Sequence, residues 1–135
     1  MSTQKIETEK RIYLVFEIFS GEEIFTIVKK RKKLSEPQAA YCIYDIFQLM
    51  MQLQEAGIAH RDIKAENVLI NETSFDVKLI DFGLSVFFEP NTLQDCSGGS
   101  PLYSSPEILA GEKFDPVKAD VWSAGILLFY MLCGR

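Results

Sequence analysis

Two short stretches hold most of the side chains in this chain that could do chemistry: His60-Arg61-Asp62-Ile63-Lys64-Ala65-Glu66-Asn67 and Asp81-Phe82-Gly83. Their residue types suit one reaction class. Magnesium takes oxygen ligands and keeps several waters, so Asn67 and Asp81 are candidate ligands, with nucleotide phosphates supplying others. Asp62 can accept or orient the proton of an attacking hydroxyl. Lys64, two residues on, can hold its ammonium beside a transferred phosphoryl group. Phosphoryl transfer needs little covalent help from a protein; positioning and charge stabilisation do most of the work. The two stretches must therefore be brought side by side.

The elements needed for this are legible. Apolar runs at residues 68–70 and 77–80, separated by 71–76, predict a strand pair that joins the ends of the two stretches. Upstream, residues 35–56 predict a long helix. Ser35 and Gln38 have capping-box spacing, Pro37 falls in the first turn, and Gly57 is a natural stop. Ala39, Ile43, Ile46, Met50 and Leu53 form its apolar stripe. Residues 11–19 read as a strand, Gly21 breaks it, and 22–28 suit a short helix. Residues 88–101 read as a loop. A last helix starts at Asp115 with Pro116 in its first turn and is apolar nearly all round from Val121, as suits the centre of a lobe.

Composition narrows the class. With 135 residues and a 47% apolar fraction, the chain reads as one globular domain. A net charge of −5 offers no overall basic field, so neither nucleic acid nor a membrane is expected as a partner. The basic run Lys29 to Lys33 reads as a solvated helix end in preference to a nuclear signal. The first ten residues are polar and lack a signal peptide, and the apolar run 121–133 is short for a membrane span. Cys42, Cys96 and Cys133 are odd in number and widely spaced, so no zinc site or disulfide framework is expected. Free thiols suit a reducing, intracellular setting, cytoplasmic with the nucleus as alternative.

Taken in order, the motifs resemble the catalytic domain of serine/threonine protein kinases. Residues 60–67 look like the catalytic loop, and 81–83 match the DFG motif. Ser105-Pro106-Glu107 resembles the APE motif, and Asp120-Val121-Trp122-Ser123-Ala124-Gly125 the start of the family's central helix. Lys64 and the segment from Gly99 to Tyr103 fit the serine/threonine group, in which the residue at Ser100 bonds the catalytic Asp and Lys. The resemblance implies an α+β fold: a mainly helical, incomplete C-terminal lobe over residues 23–135, with the last N-lobe strand and the hinge at 11–22. It implies ATP and Mg2+ as cofactors, a protein with a Ser or Thr acceptor as substrate, and an upstream kinase as partner. It also implies roles. Asp62, Lys64 and Asn67 are catalytic, and Asn67 and Asp81 hold metal. Phe16, Glu17, Phe19, Glu23, Glu66, Leu69 and Asp81 bind the nucleotide, with Phe16 as gatekeeper, Glu23 near the ribose and Leu69 under the adenine. Arg61, Ser97, Ser100 and Glu107 serve the activation and substrate loop.

The match is incomplete. Residues 1–135 contain neither a G-x-G-x-x-G loop nor a V-A-I-K lysine, so this chain alone is expected to transfer no measurable phosphate. A truncated, non-catalytic lobe that binds partners is the alternative, and a small-molecule phosphotransferase a third. Arg61 needs an anion to fix its guanidinium. Counting back from Glu107, the family's phosphate-accepting position falls on Cys96, which cannot serve. Either Ser97, ahead of Thr92, takes the phosphate, or Asp95 supplies a permanent charge; Ser97 is favoured because a dianion holds Arg61 better. In the intact kinase, Ser97→Ala should lower activity by about tenfold or more in a peptide phosphorylation assay, and Asp95→Asn should change little. Activity that survives phosphatase and Ser97→Ala but not Asp95→Asn would favour the permanent anion.

Overall fold

The computed structural model describes residues 2–95 and 98–135. Cys96 and Ser97, on which the reading of the phosphate acceptor turns, lie outside the described residues. The chain opens with an antiparallel ribbon, β1 (Ser2–Glu7) against β2 (Ile12–Phe16), in which Ile6 faces Tyr13 and Lys5 faces Leu14. The first ten residues, expected only to be polar, thus supply a strand. The expected strand at 11–19 is trimmed to five residues, all of them exposed.

After Gly21 the chain forms β3 (Glu22–Glu23) and the helix α1 (Ile24–Arg31). The helix expected over 22–28 therefore begins two residues later and runs into the basic stretch. The cause is sheet pairing: Glu22 and Glu23 lie opposite Ile70 and Leu69. Ile24, Ile27 and Val28 form the buried face of α1. The long helix α2 (Glu36–Glu55) carries the full capping box, with Ser35 N–H donating to Gln38 Oε1 at 3.2 Å. Its buried face is Ala39, Cys42 and Ile46, with Ile43, Met50 and Leu53 packed against the core from the rim. Burial pushes the Cys42 thiol up to about 11, so it behaves as a packed apolar group.

Beyond α2 come β4 (Ile58–Ala59), a 3₁₀ turn at Ala65–Asn67, β5 (Val68–Ile70), β6 (Val77–Leu79) and β7 (Val86–Phe87). β5 lies between β3 and β6 in one antiparallel sheet, and β4 pairs with β7. Residues 71–76 close the β5–β6 hairpin through Asn71, whose Oδ1 accepts from the N–H groups of Thr73 and Ser74 at 2.9 and 3.1 Å.

Two further helices complete the chain: α3 (Pro106–Leu109) and α4 (Pro116–Cys133). Asp115 caps α4, accepting from the N–H groups of Val117 and Lys118 at 3.0 and 3.3 Å. By length and composition alone α4 could cross a membrane, but it packs along α2, and Ala119, Asp120, Ala124, Leu127 and Met131 are buried. Its burial is one-sided: Val121, Trp122 and Phe129 are exposed, although its apolarity all round predicted cover on every face.

The end of α4 is tied back to the linker between α1 and α2, where Leu34 N–H donates to the Met131 carbonyl at 2.7 Å. Gly134 caps the helix at φ 72°, and an added Cβ would overlap the Lys32 carbonyl oxygen. Gly134→Ala should therefore destabilise the protein by about 1–3 kcal/mol, read as a lowered midpoint in urea unfolding. An unchanged midpoint would mean that this end of α4 is frayed in solution.

Candidate active site

The loop from His60 to Asn67 is held at both ends and from below. At its start, Ala59 in β4 pairs with Val86 in β7, and Ser85 Oγ donates to the His60 carbonyl at 3.2 Å. At its end, Ile80 N–H donates to the Asn67 carbonyl at 3.0 Å, which ties the loop to the segment leading into Asp81. From below, the Asp120 carboxylate of α4 accepts both the His60 and the Arg61 backbone N–H, each at 2.7 Å. Arg61 takes φ 66°, a left-handed conformation that costs a non-glycine residue free energy and needs such an anchor.

His60 is fully buried and acts as an internal brace. Its Nδ1 accepts from the Asp62 N–H at 3.3 Å, so its Nε2 carries the proton and donates to the Ile80 carbonyl at 3.1 Å. Burial lowers its pKa, against the pull of the Ile80 carbonyl and of Asp62 and Asp81, which keeps the ring neutral. The Phe82 ring lies 4.8 Å from it.

Above this brace, four side chains meet. Asp62 Oδ2 accepts from Lys64 Nζ at 2.7 Å and from Asn67 Nδ2 at 2.9 Å, while Oδ1 accepts from Ser100 Oγ at 3.0 Å. Lys64 Nζ also reaches Ser100 Oγ, at 3.0 Å. Burial pushes the Asp62 carboxyl up, but the hydrogen bonds from Lys64, Ser100 and Asn67 and the Lys64 charge outweigh it and hold its pKa below the ordinary value. Asp62 is thus an ionised carboxylate at neutral pH, with its orientation fixed from three sides.

Asp81 takes φ 62° and is exposed, with Oδ1 accepting from the Gly83 N–H at 3.1 Å. Asn67 spends its amide nitrogen on Asp62, leaving Oδ1 without a hydrogen bond among the described residues. A carboxylate and an amide oxygen on two tied segments make a hard, oxygen-only donor set that fits a divalent cation completed by water and phosphate. Of the other nucleotide candidates, Glu23 and Leu69 are brought opposite each other in the sheet. Phe19 lies beneath Lys78, whose ammonium is 5.6 Å from its ring centre. Phe16 and Glu17 sit at the exposed end of the ribbon, away from the Asp62 cluster's hydrogen bonds. Glu66 Oε2 is buried without a hydrogen-bond partner. The Arg61 guanidinium lies 5.8 Å from the ring of Phe114, whose backbone pairs with that of Gln94. Glu107, in the first turn of α3, forms no ion pair among the described residues.

Sequence reasoning gave Asp120 no role beyond membership of a motif. The signal was a lone carboxylate leading an apolar helical run, a placement that costs free energy unless the charge is used. Two supporting contacts were also missed. Ala65 N–H donates to the Tyr103 hydroxyl at 3.4 Å, and Ser123 Oγ donates to the Tyr103 carbonyl at 2.8 Å, so α4 also steadies the segment around Tyr103.

The chain belongs to the protein kinase domain family, which matches it over residues 2–135. Among curated proteins it is similar to the mouse (Mus musculus) serine/threonine-protein kinase DCLK3, with 37% identity over 131 residues, covering 95% of this chain and 16% of that protein. It is equally similar, at 37% over 131 residues, to the SNF-related serine/threonine-protein kinases of Rattus norvegicus and Homo sapiens, covering 96% of this chain and 18% and 17% of those proteins. The chain thus spans under a fifth of the length of these relatives.

Burial pushes the Asp120 pKa up to about 6, against the two N–H donors and the Arg61 charge. Because the folded value is the higher one, the folded state holds this proton more tightly. The group's contribution to stability is full below about pH 4 and lost as pH rises through about 6. Asp120→Asn should abolish that slope in stability measured between pH 4 and 7. It should also leave one of the two N–H groups unpaired, a cost of about 1–3 kcal/mol that at pH 7 is reduced by loss of the buried charge. A variant with unchanged midpoint and unchanged slope would contradict the anchoring role.

Proposed function

We propose that this chain is the catalytic-loop part of a serine/threonine protein kinase that transfers the γ-phosphoryl group of ATP to a Ser or Thr hydroxyl of a protein. The observation that carries this reading is the meeting of Asp62, Lys64, Asn67 and Ser100 in one hydrogen-bonded cluster, although Ser100 is 38 residues from Asp62 in sequence. A scaffold that only bound partners would have no chemical need to gather these groups.

The substrate hydroxyl oxygen attacks the γ-phosphorus, the bond to the ADP oxygen breaks, and the hydroxyl proton passes to Asp62. A carboxylate held below its ordinary pKa is a weak base, so its main work is to aim the hydroxyl, with proton transfer late as the new P–O bond forms. Lys64 holds Asp62 in place and offers its charge to the γ-phosphoryl oxygens. Ser100 links both groups to the loop on which an acceptor peptide would lie. A magnesium ion held by Asn67 and Asp81 would neutralise phosphate charge. Glu23, Leu69 and the hinge residues Phe16, Glu17 and Phe19 form the nucleotide side of this reading. Arg61 is the receiver for an activation-segment anion, supplied by an upstream kinase. The three cysteines, without a metal or disulfide pattern in the sequence, suit a reducing compartment inside the cell.

Steady-state kinetics of the intact kinase test this assignment. Asp62→Asn should lower kcat by about 10²–10³ with little change in the KM for ATP, because it acts on the hydroxyl and not on the nucleotide. Asp81→Asn should nearly abolish turnover while leaving metal-free nucleotide binding close to that of the parent. An Asp62→Asn variant whose chief defect is a raised KM for ATP would contradict the role given to Asp62.

A further inference from the structure

Phe114 carries a buried aromatic ring that the main core does not use. It is 3% exposed, yet it stands outside the apolar cluster that joins α1, α2, the sheet and the second half of α4. What meets it instead is a cation. The Arg61 guanidinium lies over the ring, 5.8 Å from its centre, and the two residues border a cavity of about 10 Å³, with room for no more than one water. A cation that close to a ring face, with water largely excluded, is attracted by the ring's quadrupole.

The backbone around Phe114 makes this contact more than local. Phe114 directly precedes Asp115, the cap of α4, and the same helix supplies Asp120. Arg61 is therefore gripped twice from one element: its backbone N–H by the Asp120 carboxylate at 2.7 Å, its guanidinium by the Phe114 ring. On the other side, the Phe114 N–H donates to the Gln94 carbonyl at 2.9 Å, and the Gln94 N–H donates to the Phe114 carbonyl at 2.8 Å. Further along the segment that holds Gln94, an added Cβ at Gly99 would come within 2.9 Å of the Arg61 carbonyl oxygen, and Ser100 bonds Asp62. The segment thus meets Arg61 and Asp62 directly at 99–100, and reaches Arg61 a second time through Phe114.

We propose that Phe114 is a positioning residue for phosphoryl transfer: its ring holds the Arg61 guanidinium while its backbone holds Gln94, so the order of segment 81–107 reaches Asp62 through Arg61. The inference rests on the kinase reading and adds to it a residue outside the Asp62 cluster. Its physical basis is the backbone at Arg61. That residue stands at φ 66° and is followed at once by Asp62, so a side chain free to swing would loosen the peptide unit that aims the carboxylate. Contact with a ring face consumes none of the guanidinium's N–H donors. An anion on the segment can therefore bind the same arginine, and ring and anion act together.

The test is steady-state kinetics of the intact kinase in which amber suppression places mono-, di- and trifluorinated phenylalanine at position 114. Fluorine drains the negative face of the ring and hardly alters its shape, so the fold is kept and only the attraction for a cation falls. The kcat should fall in the order of fluorination, by about two- to fivefold at the trifluorinated ring, with the KM for ATP unchanged within about twofold. Phe114→Leu should lower kcat by about three- to tenfold. In an Arg61→Gln background the fluorination series should be flat, since no cation is left to hold. The proposal is overturned by a kcat that does not follow fluorination, as a ring with only a packing role would give, or by a trend of equal size without the Arg61 charge. Asp62→Asn separates the two claims. If it leaves kcat intact, the kinase reading fails and the role of Phe114 with it; if it collapses kcat while fluorination changes nothing, only the role of Phe114 fails.

Discussion

The structure depends on one buried carboxylate. Asp120 sits in the first turns of a helix that is otherwise apolar, and its two oxygens take the N–H groups of two successive residues, His60 and Arg61. That grip makes the left-handed turn at Arg61 tenable. The turn sends the His60 ring inward and leaves Asp62 facing the opposite way, toward Lys64, Asn67 and Ser100. An unpaired charge in such a place would be strongly unfavourable. Here two short bonds from backbone groups reduce the desolvation cost, and burial still outweighs them enough to push the carboxyl pKa up to about 6.

The arrangement explains how a short loop becomes a rigid platform. Strand pairing restrains the ends of residues 60–67: β4 with β7 at one end, and β5 with β6 at the other. Those pairings are only two and three residues long and would fray alone. The His60 ring joins them, taking a proton contact from the Asp62 backbone and giving one to Ile80. Sheet, loop and helix thus share one neutral imidazole and one charged carboxylate, and the side chains of the Asp62 cluster inherit their positions from both.

Much of this was legible in the sequence. The capping box at Ser35, the Asp115–Pro116 start of α4 and the β5–β6 pair follow from local rules and stand close to where they were expected. The reading failed where tertiary contacts overrode local signals. Glu22 and Glu23 look like a helix start, yet opposite Ile70 and Leu69 they form a strand. Residues 2–7 have no apolar alternation strong enough to announce β1, which exists through its pairing with β2. The stripe on α2 faces the core as expected, but Cys42 was missed from it, because a small thiol does not stand out among larger apolar residues. The residues that meet in the Asp62 cluster were recognisable from type and spacing, but Asp120 was not, since its partners are backbone groups about sixty positions earlier that no side-chain pattern reveals.

The central claim is that the Asp120 carboxylate fixes the backbone at His60 and Arg61. Native-state hydrogen exchange at those two amides tests it most directly. The account predicts that both exchange as slowly as the core amides of α4, through global unfolding, although they lie in a loop without ladder bonds of their own. Exchange of either amide at the rate of an open loop, while α4 remains protected, would contradict it.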